Sequence, residues 1–185
     1  MEIEGYPVYF YQKATSTMEL ARDLVKAGKE GIVVAETQSQ GRGRYGRKWL
    51  SPIGGLYFSF VIKKSKITDF LSEIISLSLI ETMKSFGIKN CKIKFPNDII
   101  IRGNKICGIL IEKIDDFYIA GVGINVKKSK QLEENLYMCM EEITGKKYEI
   151  FEVLEVFLNE FKKIKDLSEK NIDFVLKNWS ENLIK

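Results

Sequence analysis

Five of the chain's fourteen glycines fall between positions 41 and 55. They separate two runs of β-branched and aromatic residues, 32–36 (IVVAE) and 56–62 (LYFSFVI), that read as buried strands. Glycine tolerates positive φ and lets backbone amides approach a neighbour without a Cβ in the way. Whatever else this chain builds, it builds a sheet with a backbone-rich loop joining two of its strands.

The flanking pattern supplies the rest of the fold. Residues 8–12 read as a first strand. Ser16-Thr17-Met18-Glu19 then fits a capping box, in which hydroxyl and carboxylate satisfy the free amides of a helix ending near Gly28. Apolar residues at near-helical spacing predict a second helix over 69–86, closed by Gly87. Strands are expected at 92–94, 106–112 and 117–122, separated by turns containing Pro96-Asn97-Asp98, Gly103-Asn104 and Asp115-Asp116. Gly121-Val122-Gly123-Ile124-Asn125 reads either as in-strand glycines that admit a close neighbour or as a bulge followed by a turn. From Glu133 onward the pattern is helical, broken by Gly145 and again around Asn171. The order predicts an α+β fold: a mixed sheet with helices packed on it.

Composition narrows the chemistry. With 185 residues the chain suits one domain and needs neither disulfides nor a structural metal to bury a core. It contains no histidine, which removes Ser-His-Asp and Cys-His nucleophile pairs and every His-containing metal site. Three widely spaced cysteines, Cys91, Cys107 and Cys139, read as reduced, buried thiols of a cytoplasmic protein. The acidic opening does not fit a signal peptide, and no apolar run is long enough for a bilayer. A net charge of +4 does not by itself indicate nucleic acid.

The arginines are more informative. Of 29 basic residues only Arg22, Arg42, Arg44, Arg47 and Arg102 are arginine. The segment Gly41-Arg42-Gly43-Arg44-Tyr45-Gly46-Arg47-Lys48-Trp49 thus concentrates planar, bidentate donors in one loop, with an indole at its base. It suits a small anionic ligand, a single-stranded nucleic acid, or a solvated basic turn. Neither the P-loop nor the dinucleotide-binding glycine pattern is met.

Lys94-Phe95-Pro96-Asn97-Asp98 reads as a plain turn, or as a phosphate and metal–phosphate contact through Lys94 and Asp98. Lys105, at the mouth of an apolar strand, reads as a snorkelling surface residue or a ligand contact. Gly108 inside that strand suggests the close approach of another backbone or a ligand. Asn125 ends the next strand with an amide able to donate and accept.

Together, the ordered segments AETQSQGRGRYGRKWLSP, GGLYFSF, KFPNDIII, NKICGILIE and GVGINV resemble the catalytic domain of biotin protein ligases, densely from about residue 35 to 125. The resemblance implies a mostly antiparallel sheet of the class II aminoacyl-tRNA-synthetase-like, biotin–lipoate ligase type. It implies an ATP- and Mg²⁺-dependent enzyme that adenylates biotin and passes it to a lysine of a biotin carboxyl carrier protein, without nucleic acid or membrane. A homodimer paired through sheet edges is left open.

By position in the family pattern, Ser16, Thr17 and Gln38 would hydrogen-bond the ureido ring of biotin. Gly41 and Arg42 would meet biotin and its carboxylate through backbone contacts, and Gly108 also falls on the biotin side. Lys105 would contact the carboxylate and the developing phosphate charge, making it the first choice for a catalytic residue, with Arg44 beside it. Arg44, Arg47 and Lys48 would fold over the adenylate, with Trp49 beneath. Lys94, Asn97 and Asp98 would face the phosphates, Asp98 with Mg²⁺, and Asn125 would read adenine.

The chain also departs from the pattern. Phe95 stands where tryptophan is usual, and Met18 where a polar residue is common. Residues 1–185 are expected to be the catalytic domain alone, without an N-terminal winged helix or a C-terminal SH3-like domain. A lipoate or octanoate ligase of the same superfamily and a non-catalytic RNA-binding module are the rival readings.

Overall fold

A computed structural model describes residues 1–131 and 137–184. Eight strands form one sheet: β1 (Glu2–Ile3), β2 (Tyr6–Ala14), β3 (Gly31–Gln38), β4 (Gly55–Lys63), β5 (Lys92–Lys94), β6 (Asp98–Ile101), β7 (Asn104–Ile114) and β8 (Phe117–Asn125). Their spatial order is β1-β2-β3-β4-β8-β7-β6-β5. Only β2 and β3 run parallel, joined through helix α1 (Thr17–Lys26); the other neighbours are antiparallel. The expected mixed, mostly antiparallel α+β architecture is the one observed.

Alternation along the strands sorts the sheet into two unlike faces. On one face Ile32, Val34, Leu56, Phe58, Phe60, Ala120, Val122 and Ile124 pack against helices α2 (Leu71–Ser85), α4 (Ile150–Lys170) and α5 (Ile172–Glu181). Phe58 meets Phe157 and Phe60 meets Phe161, each with ring centroids 5.1 Å apart. On the other face Val33, Val61 and Ile119 pack under Met18, Ala21 and Val25 of α1. That helix spans ten residues, about 15 Å, too short to cover the face. Beyond its N-terminus the sheet presents Ser59, Gly108, Gly121 and Gly123, leaving a trough.

Three sequence expectations are corrected here. The turn at Pro96-Asn97-Asp98 ends sooner than its composition suggests, because Asp98 already begins strand β6 and pairs with Gly108. No bulge interrupts β8, which stays in register with β4 from Lys63↔Phe117 to Gly55↔Asn125. The irregularity lies instead in β6, between Ile99 and Ile100. The capping box at Ser16 does not form: Ser16 is the N-cap but makes no side-chain cap bond, and Glu19 is drawn away by Arg22 and Arg42.

The C-terminal helical pattern resolves into α3 (Met140–Thr144), α4 and α5. Gly145 takes a left-handed φ of 69° after α3, and Asn171 caps α5 by accepting from the Phe174 amide. The part of that pattern at 133–136 lies outside the described residues.

Candidate active site

The trough, flanked by Arg42 to Trp49, holds an open cavity of about 500 Å³. Its walls include Ser16, Thr17, Gln38, Arg42, Arg44, Arg47, Lys48, Trp49, Lys94, Asn97, Asp98, Lys105 and Gly108. The two sets of predicted residues, one from β3 and α1, the other from β5 to β7, therefore share one hollow. From β3 to β6 the cavity crosses four inter-strand gaps, about 19 Å.

The loop itself is a tight hairpin. The amide of Trp49 donates to Gly41 O at 2.8 Å and that of Gly43 to Arg47 O at 2.7 Å. Tyr45 at its tip adopts φ 56°, ψ 37°, and receives the Arg44 guanidinium 4.9 Å from its ring centroid. Arg44 Nη2 also donates to the Tyr45 hydroxyl at 3.1 Å.

Trp49 forms the floor. Gly108 and Gly123, paired across β7 and β8, lie under its indole, and a Cβ at either would come within 2.6 Å of a ring atom. The in-strand glycines thus make room for an aromatic plate: what comes close to Gly108 is the Trp49 side chain, where the sequence suggested another backbone or a ligand. Trp49 Nε1 is buried without a hydrogen-bond partner. Lys105 Nζ sits 4.7 Å above the ring centroid and 2.6 Å from Asp98 Oδ1. That contact is an ion pair, which holds the ammonium over the indole.

At the α1 side a chain of donors runs in one direction. Ser59 Oγ donates to Thr17 Oγ1, Thr17 Oγ1 to Gln38 Oε1, Gln38 Nε2 to Ser51 Oγ, and Ser51 Oγ to Trp49 O, over distances of 2.8 to 3.1 Å. The Thr17 amide gives Gln38 Oε1 a second donor at 2.8 Å. These bonds fix which end of the Gln38 amide is oxygen and which nitrogen. Beside them the Ser16 hydroxyl is buried with no partner. Two orphaned polar atoms, Ser16 Oγ and Trp49 Nε1, therefore belong to residues of a single cavity. Buried polar groups are ordinarily satisfied, so these point to a ligand.

Charge points to the kind of ligand. Among the described residues the wall carries six cationic side chains (Arg42, Arg44, Arg47, Lys48, Lys94, Lys105) and one carboxylate, Asp98. Such a hollow attracts an anion.

Not every predicted residue reaches it. Asn125 is buried at the end of β8, its Nδ2 donating to Lys105 O at 3.3 Å, where it steadies the start of β7. Gly41 lies outside the wall; a Cβ there would stand 2.4 Å from Trp49 O, so packing of the loop stem accounts for this glycine. Asn97 lines the cavity, yet its Nδ2 donates to Ile109 O and its carbonyl accepts from the Ile109 amide, tying the turn to β7.

Sequence reasoning missed Ser51 and Ser59. Ser59, the one serine in the apolar run LYFSFVI, was legible as a polar residue on one face of a strand. Ser51 carried no such signal, since its part in the chain of donors depends on how the loop stem folds back on β3.

A glycine-lined sheet face, an arginine-rich flap and a lysine at the strand mouth thus meet on a sheet of the biotin and lipoate ligase fold. The chain belongs to the biotin/lipoate A/B protein ligase family, whose sequence model matches residues 9–134. It is similar to the bifunctional ligase/repressor BirA of Escherichia coli K12, at 32% identity over 145 residues, 73% of this chain. It spans 45% of that protein's length.

Among solved structures, it resembles the biotin protein ligase of Aquifex aeolicus in complex with biotin and ATP. The TM-score is 0.84 and the identity 30%, over 96% of this chain and 78% of that one. It also resembles the Leishmania major enzyme in complex with biotinyl-5-AMP, with a TM-score of 0.83 and 26% identity over 96% and 81%.

Proposed function

We propose that residues 1–185 form one catalytic domain that activates biotin with ATP and transfers it to a lysine of a carboxyl carrier protein. The single observation that carries this reading is the shared cavity. The oriented Thr17–Gln38–Ser51 chain suits a polar ring, and the cations around Lys105 suit a carboxylate beside phosphates.

In the first step a biotin carboxylate oxygen bonds to the α-phosphorus of ATP as the bond to the bridging oxygen breaks, releasing pyrophosphate. A carboxylate is already a nucleophile, so no general base is needed and the absence of histidine is no obstacle. What the step demands is suppression of repulsion between two anions. Lys105 supplies a cation between them, and Arg44, Arg47, Lys48 and Lys94 supply the rest. The Trp49 plate and the flap keep water from the mixed anhydride. In the second step a neutral lysine amine of the carrier attacks the acyl carbon. The acyl–oxygen bond breaks, AMP leaves and the amine proton passes to solvent.

Among the described residues no group of three or more Cys, Asp or Glu side chains could hold a metal ion. Among those residues one carboxylate, Asp98, faces the cavity. That donor set fits Mg²⁺, which is held by one or two carboxylates plus substrate phosphates rather than by a protein cage. Bound there, Mg²⁺ would neutralise phosphate charge.

The polar Gln38 network favours biotin over a purely aliphatic acid. Among the described residues no helix is long and apolar enough to cross a membrane. The test is incubation with ATP, Mg²⁺, biotin and an acceptor domain, followed by avidin blotting, with octanoate and lipoate as competitors. Labelling of the acceptor that requires both biotin and ATP is expected. No labelling, or preference for octanoate or lipoate, would defeat the assignment.

A further inference from the structure

Outside the reacting groups, the described surface holds one closed circuit of charge. Arg42 Nη1 lies 2.5 Å from Glu19 Oε1 and Arg42 Nη2 lies 3.2 Å from Glu112 Oε1. Arg22 Nη2 lies 2.5 Å from Glu112 Oε2 and Arg22 Nε lies 3.5 Å from Glu19 Oε2. Each carboxylate thus gives one oxygen to each guanidinium. The four residues come from three places: α1 (Glu19, Arg22), β7 (Glu112) and the loop stem (Arg42). Glu112 is the most shielded, with a side chain 21% exposed.

The circuit divides the loop. Among the described residues Arg42 is the loop residue that makes ion pairs to the body of the protein. The tip, 44–48, is held by its own turn: Arg47 N to Arg44 O at 3.2 Å and Gly43 N to Arg47 O at 2.7 Å. We infer that Glu19, Arg22 and Glu112 are positioning residues, a latch that sets the height of the Arg42 backbone over the cavity and so governs how tightly the acid is held. Two neighbouring arginines would otherwise repel, and the carboxylates between them remove that repulsion while fixing both planes. Because the pairs are partly exposed, the latch weakens as salt screens it.

The functional half of this inference rests on the ligase reading, so its test has a readout that does not. The loop contains trypsin sites at Arg42, Arg44, Arg47 and Lys48. Glu19→Gln with Glu112→Gln keeps side-chain volume and removes both anions. Losing two such pairs should raise loop cleavage about fivefold, while cleavage at exposed Lys162 and Lys163 of α4 stays at the wild-type rate. Relative to that α4 control, 0.5 M NaCl should speed loop cleavage in the wild type and leave the double variant unchanged. In the biotinylation assay the same variant should show a KM for biotin about fivefold higher, with kcat within twofold.

Equal loop cleavage in variant and wild type would overturn the latch, as would loop and α4 cleavage rising together. A loosened loop with unchanged KM for biotin would overturn the positioning role. Cleavage decides the latch whether or not the wild type biotinylates, so failure of the latch and failure of the ligase reading remain distinguishable.

Discussion

Gly123 lies directly beneath Trp49: a methyl group on that glycine would stand 2.4 Å from Trp49 Cε2 and 2.5 Å from Nε1. The indole is a rigid plate, and the strand beneath it is bonded on both sides, to β4 and β7. Neither can yield cheaply. Gly123→Ala should therefore destabilise the fold by about 1–3 kcal/mol through overpacking and lift the plate from its seat. Adding Trp49→Ala to Gly123→Ala should recover most of the lost stability without recovering adenylate formation. Thermal melts of the two single variants and the double variant measure the coupling.

Lys105→Ala should lower biotin-dependent exchange of pyrophosphate into ATP by at least about a hundredfold, because it removes the ammonium placed between the two anions. Its partner Asp98 is then left without its cation. The pair is roughly a quarter exposed, so the stability cost should stay below about 1 kcal/mol after solvent screening. Circular dichroism should remain native. Exchange at the wild-type rate would remove Lys105 from the mechanism.

Thr17→Val keeps shape and deletes the hydroxyl that links Ser59 to Gln38. Gln38 Oε1 still accepts from the Thr17 amide, so the side chain stays in place but loses a donor, and the Ser59 hydroxyl loses its acceptor. The expected outcome is a loss of about 1–2 kcal/mol in stability and a KM for biotin about tenfold higher, with the KM for ATP unchanged. Steady-state kinetics with each substrate varied in turn separates the two.

The three cysteines are free and buried. Burial pushes the Cys91 thiol up to about 11 and the Cys139 thiol up to about 12, and raises that of Cys107 well above its ordinary value. In the unfolded chain thiols ionise near 8.5. The folded protein thus holds protons that the unfolded chain gives up as pH rises. The thiol contribution to stability is complete below about pH 8.5 and is lost through the folded values above it, by roughly 1.4 kcal/mol per pH unit for each thiol in that window. Denaturant melts between pH 8 and 10.5 should show this fall, and Cys→Ser at position 139 should flatten it. At pH 8 iodoacetamide should modify the cysteines only after unfolding.

Much of the fold was legible locally. The strands around 32–36 and 56–62, the helices starting near 17 and 71, and the glycine breaks all follow from side-chain period and backbone permissiveness, which each segment carries alone. The same holds for the basic loop, whose composition announces an anion before any contact is known. The misread places were those where local chemistry competes with tertiary partners. Asp98 has turn composition but is claimed by pairing with β7. Glu19 completes a capping box on paper but finds two guanidiniums instead.

The sequence by itself determined which segments become strands, which loop concentrates charge, and which lysine stands at a strand mouth, because propensity and charge are local properties. Only the tertiary structure decided that Gly108 and Gly123 seat one indole, that Ser59 reaches Gln38 through Thr17, and that Glu112 reaches the stem at Arg42. Those relationships depend on sheet register. An eight-stranded order in which β4 neighbours β8, and β7 follows, brings together residues tens of positions apart along the chain.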